Sequence, residues 1–333
     1  EKNRYENSRP RKWCRGHISG GWVFYGRFKF MQRIGVVIGL VFCLLSAAFD
    51  VYVAFIMQAV KTLLVIFYCF VTSAAFFAVC ALYRDSGFLC SKLRGDWRIV
   101  VVINLAVLLN WGGLFYALRY LEPAVVGVAS VACGPALTLI FSLLNKRGIK
   151  VAFVDALVSC LVLTSVGVML YNSFVGQSGI SSTTVEQRLL GILSVMVCAL
   201  GTVIYTVFSK QMFEQRWSVY EILAVRNIAM IGVCVIAIPL TGAGFLVDGE
   251  LVMPMVVLVV FGHLLPIYLI QKTIYHLTPI HVSLVLLTLP VFVLFLQFFD
   301  ARVEFSMASI AAVSIILFLL LGRALYALKR EAT

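Results

Sequence analysis

Long apolar runs, separated by short polar segments, dominate the chain. Each run is close to the ~20 residues with which a helix crosses the hydrocarbon core of a bilayer. The period-two alternation of membrane β-strands is absent, and a lipid-embedded backbone must satisfy its own hydrogen bonds, so each run is predicted to be helical. The predicted spans are 34–57, 62–83, 97–117, 122–143, 151–171, 189–209, 219–240, 251–271, 279–298 and 304–325. The pattern therefore predicts an all-α polytopic membrane protein with ten transmembrane helices.

Composition supports a membrane protein. Hydrophobic residues make up 62% of the 333 residues and charged residues only 13%, whereas about a quarter of a soluble domain is charged. The net charge of +12 is no sign of a nucleic-acid partner, because nine of the 27 Lys and Arg residues precede the first span. We therefore expect the lipid bilayer as a partner and no nucleic acid.

The distribution of Lys and Arg predicts the orientation. With a cytoplasmic N-terminus, 22 of these residues lie on the cytoplasmic side and four on the other, as the positive-inside rule requires. Both termini are then cytoplasmic, in a cell inner (plasma) membrane. Met31 opens a stretch typical of a bacterial start, so the basic tail 1–33 is interpreted as a largely non-native or dispensable extension. The alternative is that GGWVFYGRFKF lies along the anionic leaflet.

An internal repeat divides the chain. Residues 34–45 resemble 190–201 at an offset of 156, and Tyr-Leu-Glu-Pro at 120–123 meets His-Leu-Thr-Pro at 276–279 at the same offset. After a slip of one residue, the similarity continues to the end of each copy.

The matched segments predict two five-helix repeats at 34–171 and 189–326, a linker loop at 172–188 and a cytoplasmic tail at 327–333. Five spans is an odd number, so the second copy must enter the membrane inverted. Inverted repeats are typical of secondary carriers, whose small-molecule site lies near the midplane.

Two stretches carry a family resemblance: LFYALRYLEPAVVGVASVACGPALTLIFSLL at 114–144 and IYHLTPIHVSLVLLTLPVFVLFLQFF at 274–299. They resemble the drug/metabolite transporter superfamily, specifically its EamA-like ten-span permeases. The resemblance implies alternating access and proton-coupled export. The family's frequent Gly-Glu between the fourth and fifth spans is replaced here by Asn-Lys-Arg-Gly at 145–148.

Asp50 is a carboxylate deep within the first span, in its outer half. A charge there is costly unless it faces a cavity or a partner. Asp50 is predicted to bind a substrate ammonium group or to take up the coupling proton, with a neutral structural Asp as the alternative. Asn110, Trp111 and Tyr116 of the third span lie at similar or shallower depth and complete this candidate substrate site.

Arg226 lies in the inner half of the seventh span, and its guanidinium suits a carboxylate or phosphate. The alternative is snorkelling of its side chain to the interface. Its depth differs from that of Asp50 by ~14 Å, at 1.5 Å per helical residue, so no direct pair is expected. His263 lies at the depth of Arg226, and Tyr268 lies nearer the cytoplasmic mouth. The carboxylate of Asp50 in the outer half and the guanidinium of Arg226 in the inner half predict a zwitterionic or mixed-charge substrate, amino-acid-like or an amine.

Pro135 and Pro290 lie mid-span in the fourth and ninth helices. Each removes a helical hydrogen bond, which predicts a paired hinge or gate, with static kinks as the alternative. The small residues Gly35 and Gly39 are predicted to serve packing within the chain. A monomer and a homodimer both stay open.

Two other functions remain open. A carrier of nucleotide-linked or lipid-linked sugar or phosphate would use Arg226, His263 and Lys272. A membrane-embedded transferase would draw on His276 and His281. We predict no catalytic residue, metal or cofactor, because the sequence has no nucleotide-binding loop and its cysteines fall mostly as single residues in apolar runs.

Overall fold

The structure is a computed structural model. It describes residues 21–84, 92–144, 153–176, 179–180, 183–242, 244–277, 282, 285–286, 288–297, 299, 303–304 and 307–332. His17, His281 and Pro279 lie outside these residues. Apart from one pair of two-residue strands, the regular structure in this part of the chain is helical, as the apolar runs predict.

Each described helix overlaps one predicted span, although α9 covers only part of the predicted 279–298. The helices are α1 (Gly21–Ala59), α2 (Thr62–Arg84), α3 (Trp97–Tyr120), α4 (Pro123–Leu144), α5 (Phe153–Val175), α6 (Val185–Glu214), α7 (Val219–Leu240), α8 (Gly249–His276), α9 (Leu289–Gln297) and α10 (Met307–Ala332). The strands β1 (Gly179–Ile180) and β2 (Val303–Glu304) pair antiparallel.

Seven helices in the described part of the chain are long and apolar enough to cross a membrane: α1 from Arg33 onward, α2, α3, α5 from Leu157 onward, α6, α7 and α8. The other apolar helical stretches found there are shorter, at Pro123–Cys133 in α4 and Ile310–Leu319 in α10. The chain is therefore a multi-pass helical membrane protein.

Several helices extend beyond their predicted ends. The helix α1 begins at Gly21, so part of the predicted tail continues the first span. The predicted linker 172–188 shrinks, because α5 ends at Val175 and α6 begins at Val185. A capping box fixes that start: Gln187 N–H donates to the Thr184 hydroxyl, and Thr184 N–H donates to the Gln187 side chain. The predicted tail 327–333 is helical through Ala332.

Three spans are irregular near their middles. In α3, a π-helical turn covers Leu108–Gly112, and in α8 another covers Leu258–Leu264. The third irregularity is a break in α7 at Arg226, between the helical segments Val219–Val225 and Ile228–Leu240. The helix α1, by contrast, runs without interruption through Asp50. Single-turn π-helical insertions occur frequently at functional sites.

The two prolines predicted to form a paired hinge occupy different positions. Through Pro135 the helix α4 is continuous. Pro290 is the second residue of α9, where a missing N–H breaks no helical hydrogen bond. The chain turns immediately before it, where the Thr288 hydroxyl donates to the Val285 carbonyl at 2.8 Å. Pro290 thus lies at the described start of α9, whereas Pro135 lies within α4, and the paired hinge stays a prediction.

Several helix pairs pack closely, and two glycines of α1 lie at such contacts. The helix α1 packs against the C-terminal part of α8 and against α9, while α6 packs against the C-terminal part of α3 and against α4. Two further pairs are α2 with α7 and α5 with α10. A Cβ at Gly35 would lie 2.8 Å from Leu277, and one at Gly39 would lie 2.6 Å from Val285. These two glycines therefore pack within the chain, as predicted.

Candidate functional site

The break in α7 is held by side chains of α2 and α3. Asn104 donates from Nδ2 to the Val225 carbonyl at 2.8 Å and accepts from the Ala229 N–H at 3.0 Å. Asn227, which is fully buried, donates to the Ser73 hydroxyl at 2.9 Å. Backbone groups released by the break thus find partners in neighbouring helices, which is the condition for irregular backbone at membrane depth.

Arg226 lies at this break and points into the bundle. It is only 1% exposed, so snorkelling to the interface does not describe it. Its Nη1 donates to the hydroxyl of Tyr205 in α6, and that hydroxyl donates to Oε1 of Gln271 in α8. The guanidinium also lies over the Tyr205 ring, 4.9 Å from its centroid. Arg226 is thereby fixed in orientation by two neighbouring helices.

Several polar atoms of these buried side chains have no hydrogen-bond partner among the described residues. They are Nε and Nη2 of Arg226, Nε2 of Gln271 and both ring nitrogens of His263. Gln271 and His263 are fully buried. Buried polar groups are nearly always hydrogen-bonded, so a concentration of unpaired donors around one guanidinium is a feature of a binding site.

His263 lies among aromatic rings. Its ring centroid is 4.7 Å from those of Phe70 and Trp111 and 6.3 Å from that of Phe49. Trp111 and His263 come from the π-helical turns of α3 and α8. We call Phe49, Phe70 and Trp111 the ring wall. The structure thus brings together Trp111 and His263, both predicted from sequence.

Asp50 lies apart from the arginine, on the side of α1 that faces α4 and α9. It is 2% exposed, and its Oδ1 has no hydrogen-bond partner among the described residues. Its Oδ2 lies 4.0 Å from the position that a Cβ on Gly127 would take, beside Val293. Among the described residues Asp50 forms no ion pair. Phe49, the residue before Asp50, has its ring centroid 6.3 Å from that of His263.

Three further predicted residues lie outside this group. Asn110 accepts hydrogen bonds from Cys198 and Thr202 of α6, and so joins two helices. Tyr116 lines a cleft of about 220 Å³ with Lys61 and Arg119. Tyr268 bonds Tyr220 through its hydroxyl at 3.3 Å, and the Lys272 ammonium lies 5.7 Å from its ring centroid.

Four residues of the site were missed in the sequence: Ser73, Asn104, Tyr205 and Gln271. An uncharged polar residue in an apolar run gives no strong signal, because it raises the insertion cost far less than a charge does. For Tyr205 and Gln271 the internal repeat offered a signal. At the offset of 156 residues they correspond to Phe49 and Phe115, so the second copy has a polar residue where the first has an apolar one.

These features define a polytopic helical membrane protein with isolated charges buried in its centre. Residues 189–322 match the family model described as the EamA-like transporter family. The resemblance predicted from sequence is therefore confirmed over this part of the chain, which indicates a membrane transporter of the drug/metabolite type. A search of curated proteins finds no match.

Solved structures resemble most of the chain. Nineteen chains match, and one, described only as "Crystal structure of protein", covers 88% of this chain and 95% of its own. Its TM-score is 0.58 at 19% identity. At that identity the likeness shows the fold alone.

Proposed function

We propose that the protein is a secondary active transporter that moves a small polar or zwitterionic metabolite, amino-acid-like or an amine, by alternating access. Its ten spans would form two inverted five-helix repeats. The observation that supports this most directly is a contact that occurs twice. A Cβ at Gly35 would lie 2.8 Å from Leu277, and one at Gly191 would lie 2.8 Å from Leu121. The offset of 156 residues carries Gly35 to Gly191 and Leu121 to Leu277.

The same exchange relates whole helices. Each helix can be replaced by its equivalent five places further along, with the count continuing from α10 to α1. The α1–α8 and α1–α9 contacts then become the observed α6–α3 and α6–α4 contacts, and the pairs α2–α7 and α5–α10 are unchanged. In the proposed two-repeat arrangement, such reciprocal contacts would allow two packings of similar energy, related by a pseudo-twofold axis. Alternating access is rocking between two such packings around a central site.

The two ends of the bundle support the proposed orientation. Lys92 forms an ion pair with Glu221 at 2.9 Å and donates to the Arg216 carbonyl at 2.7 Å, at the end we propose to be cytoplasmic. At the other end Arg119 donates to the Thr62 hydroxyl at 3.0 Å. Two basic residues that the sequence assigns to one side thus meet each other, and we propose that both termini lie on that side.

The buried charges favour a zwitterionic substrate. Asp50 and Arg226 carry opposite charges, and each has unpaired polar atoms. A buried charge is costly without a partner, and the two groups do not pair with each other among the described residues. A substrate ammonium at Asp50 and a carboxylate at Arg226 would satisfy both. In the absence of substrate, Asp50 would accept the coupling proton, as we propose for proton-coupled export.

A second candidate is a carrier of nucleotide-linked or lipid-linked sugar or phosphate. The observation that favours it is the unpaired Nε and Nη2 of Arg226, because a guanidinium binds phosphate as readily as carboxylate. Lys272, near the predicted cytoplasmic mouth, would add a second cation.

Counterflow in proteoliposomes tests the proposal. The full chain is reconstituted, loaded with unlabelled metabolite and assayed for uptake of labelled amino acids, amines and nucleotide sugars. Asp50→Asn and Arg226→Gln are each expected to abolish counterflow while leaving insertion intact. Asp248→Asn, in an exposed loop, is the matched control and should transport normally.

Three results would contradict the proposal. Normal transport by both Asp50→Asn and Arg226→Gln would place the site elsewhere. Counterflow of nucleotide sugars alone would favour the second candidate. Formation of a chemically altered product, without exchange, would indicate a membrane-embedded transferase.

A further inference from the structure

The centre of the bundle holds two equivalent groups of residues with opposite chemistry. The offset of 156 residues carries Phe49 to Tyr205, Phe70 to Arg226 and Phe115 to Gln271. In the second half, Arg226, Tyr205 and Gln271 form one hydrogen-bonded chain. In the first half, the Phe49 and Phe115 rings pack 5.7 Å apart. One face of the centre is therefore polar and cationic, and the other is aromatic.

We propose that the polar face binds the carboxylate of a substrate whose planar apolar body lies against the ring wall. Arg226, Gln271 and His263 are the proposed carboxylate ligands. This inference rests on the proposed carrier function and names its substrate class: organic acids or amino acids with an aromatic or similarly flat apolar body.

The geometry of Arg226 favours a carboxylate. A guanidinium has five N–H groups, and Tyr205 takes one at Nη1. The unpaired Nε and Nη2 form the side edge of the guanidinium, on which two parallel N–H groups match the two oxygens of a carboxylate. Because Tyr205 is itself held by Gln271, the edge keeps a fixed direction. A bidentate ligand thus meets a preorganised donor pair.

The neighbouring donors suit the same anion. Gln271 carries an unpaired Nε2 N–H group next to the oxygen that holds Tyr205, and His263 carries two unpaired ring nitrogens, one of which is a donor in the neutral imidazole. Asn227, next to Arg226, donates to the Ser73 hydroxyl of α2 at 2.9 Å, and Phe70, three residues before Ser73 in α2, has its ring centroid 4.7 Å from that of His263. No acidic side chain pairs with Arg226 among the described residues. A substrate carboxylate would supply the missing acceptor.

The ring wall restricts the body of the substrate. His263 stands at 4.7 Å from both Phe70 and Trp111, so the carboxylate ligands directly adjoin apolar rings. A hydroxyl-rich sugar against these rings would lose hydrogen bonds to water without replacing them. A flat apolar body packs there through offset or edge contacts. The wall therefore selects against nucleotide sugars.

Gln271→Glu separates a binding role from a structural one. The change is isosteric and keeps an acceptor for the Tyr205 hydroxyl, but it replaces the unpaired N–H group by a carboxylate oxygen. A purely structural Gln271 would tolerate this, since the new charge pairs with Arg226. An anion ligand would be repelled and would lose its donor. Gln211→Glu, the same change at an exposed position of α6, is the control.

Thermal shift on the purified full-length protein in detergent measures binding. The probes are 3-phenylpropionate, its neutral amide 3-phenylpropanamide, phenethylamine, propionate and phenyl phosphate. We expect 3-phenylpropionate to raise the Tm. The amide should bind roughly tenfold or more weakly, because hydrogen bonds to a charged group are stronger than those to a neutral group. Propionate, which lacks the aromatic ring, should also bind roughly tenfold or more weakly. Gln271→Glu should weaken 3-phenylpropionate at least about tenfold, with an unchanged or higher Tm without ligand. The Gln211→Glu control should bind normally.

Four results would overturn the inference: equal binding of amide and acid, binding of phenethylamine alone, preference for phenyl phosphate, or undiminished binding by Gln271→Glu. If that variant does not fold, Arg226→Lys replaces it, because it keeps the charge and loses the two-pronged edge; undiminished binding by Arg226→Lys would also refute the site.

Counterflow separates this inference from the carrier proposal. Exchange of phenethylamine but not of acids would retain the carrier and refute the carboxylate site. The expected binding profile without any exchange would retain the site and refute the carrier.

Discussion

Asn104→Leu tests whether α3 holds the break in α7. Leucine has the same branched heavy-atom skeleton as asparagine, with methyl groups in place of the amide oxygen and nitrogen, so the change removes these hydrogen bonds. The Val225 carbonyl and the Ala229 N–H each lose a partner in another helix, at 2.8 and 3.0 Å. A buried group left unpaired costs about 1–3 kcal/mol, whereas interhelical bonds measured in membranes average about 0.6 kcal/mol. For two bonds, we expect the free energy of unfolding to fall by about 1–4 kcal/mol.

Unfolding by sodium dodecyl sulfate in mixed micelles, followed by circular dichroism, measures this loss. Thr206→Val is the matched control, because the Thr206 hydroxyl donates to the Thr202 carbonyl of its own helix, at 2.8 Å. It should cost less than about 0.5 kcal/mol, as a locally bonded hydroxyl does. Equal unfolding free energies for Asn104→Leu and Thr206→Val would refute the reasoning, since the break would then be stable without α3.

Three further predictions concern packing and polar contacts. Gly201→Ala should lower the unfolding free energy by about 1–3 kcal/mol, because the new methyl group would meet backbone atoms of α3 within 2.8 Å; Gly167→Ala, with open space around it, should be neutral or stabilising in the same assay. Lys92→Met should cost about 3 kcal/mol by leaving Glu221 buried without its cation, and a cost below about 1 kcal/mol would contradict this. Pro290→Ala should slow counterflow more than it lowers the yield of folded protein, and unchanged rates would exclude a gating role.

The spans were predictable because lipid leaves the backbone no alternative to the helix. Their ends were not, since hydropathy marks where the apolar environment ends and helical hydrogen bonding continues into water. The helix α6 illustrates this. It extends from Val185 to Glu214, beyond the predicted 189–209, because Thr184 caps its first turn.

The charged residues gave the clearest signal in the sequence. Arg226 and Asp50 stand out because a charge in a span is costly, and both are buried in the structure. Tyr205 and Asn104 carry no charge and gave no such signal, because their role depends on the side chains and backbone groups of other helices that they contact. Nor does a π-helical turn have a sequence pattern of its own, because one extra residue barely shifts the helical period. The position of Trp111 against His263 depends on two such turns and had to come from the structure.

In the proposed two-repeat arrangement, the buried charges break the symmetry of the scaffold. Asp50 corresponds to Thr206, and Arg226 to Phe70, so each half contributes one charge and neither is matched by its equivalent. A zwitterion that reaches both charges therefore bridges the two halves. Such a substrate favours packings in which Asp50 and Arg226 approach each other. Because a ligand shifts a conformational equilibrium only through its differential affinity for the states, this bridging would stabilise the closed arrangement when substrate is bound. A monovalent amine or acid would touch only one half and would give that coupling up.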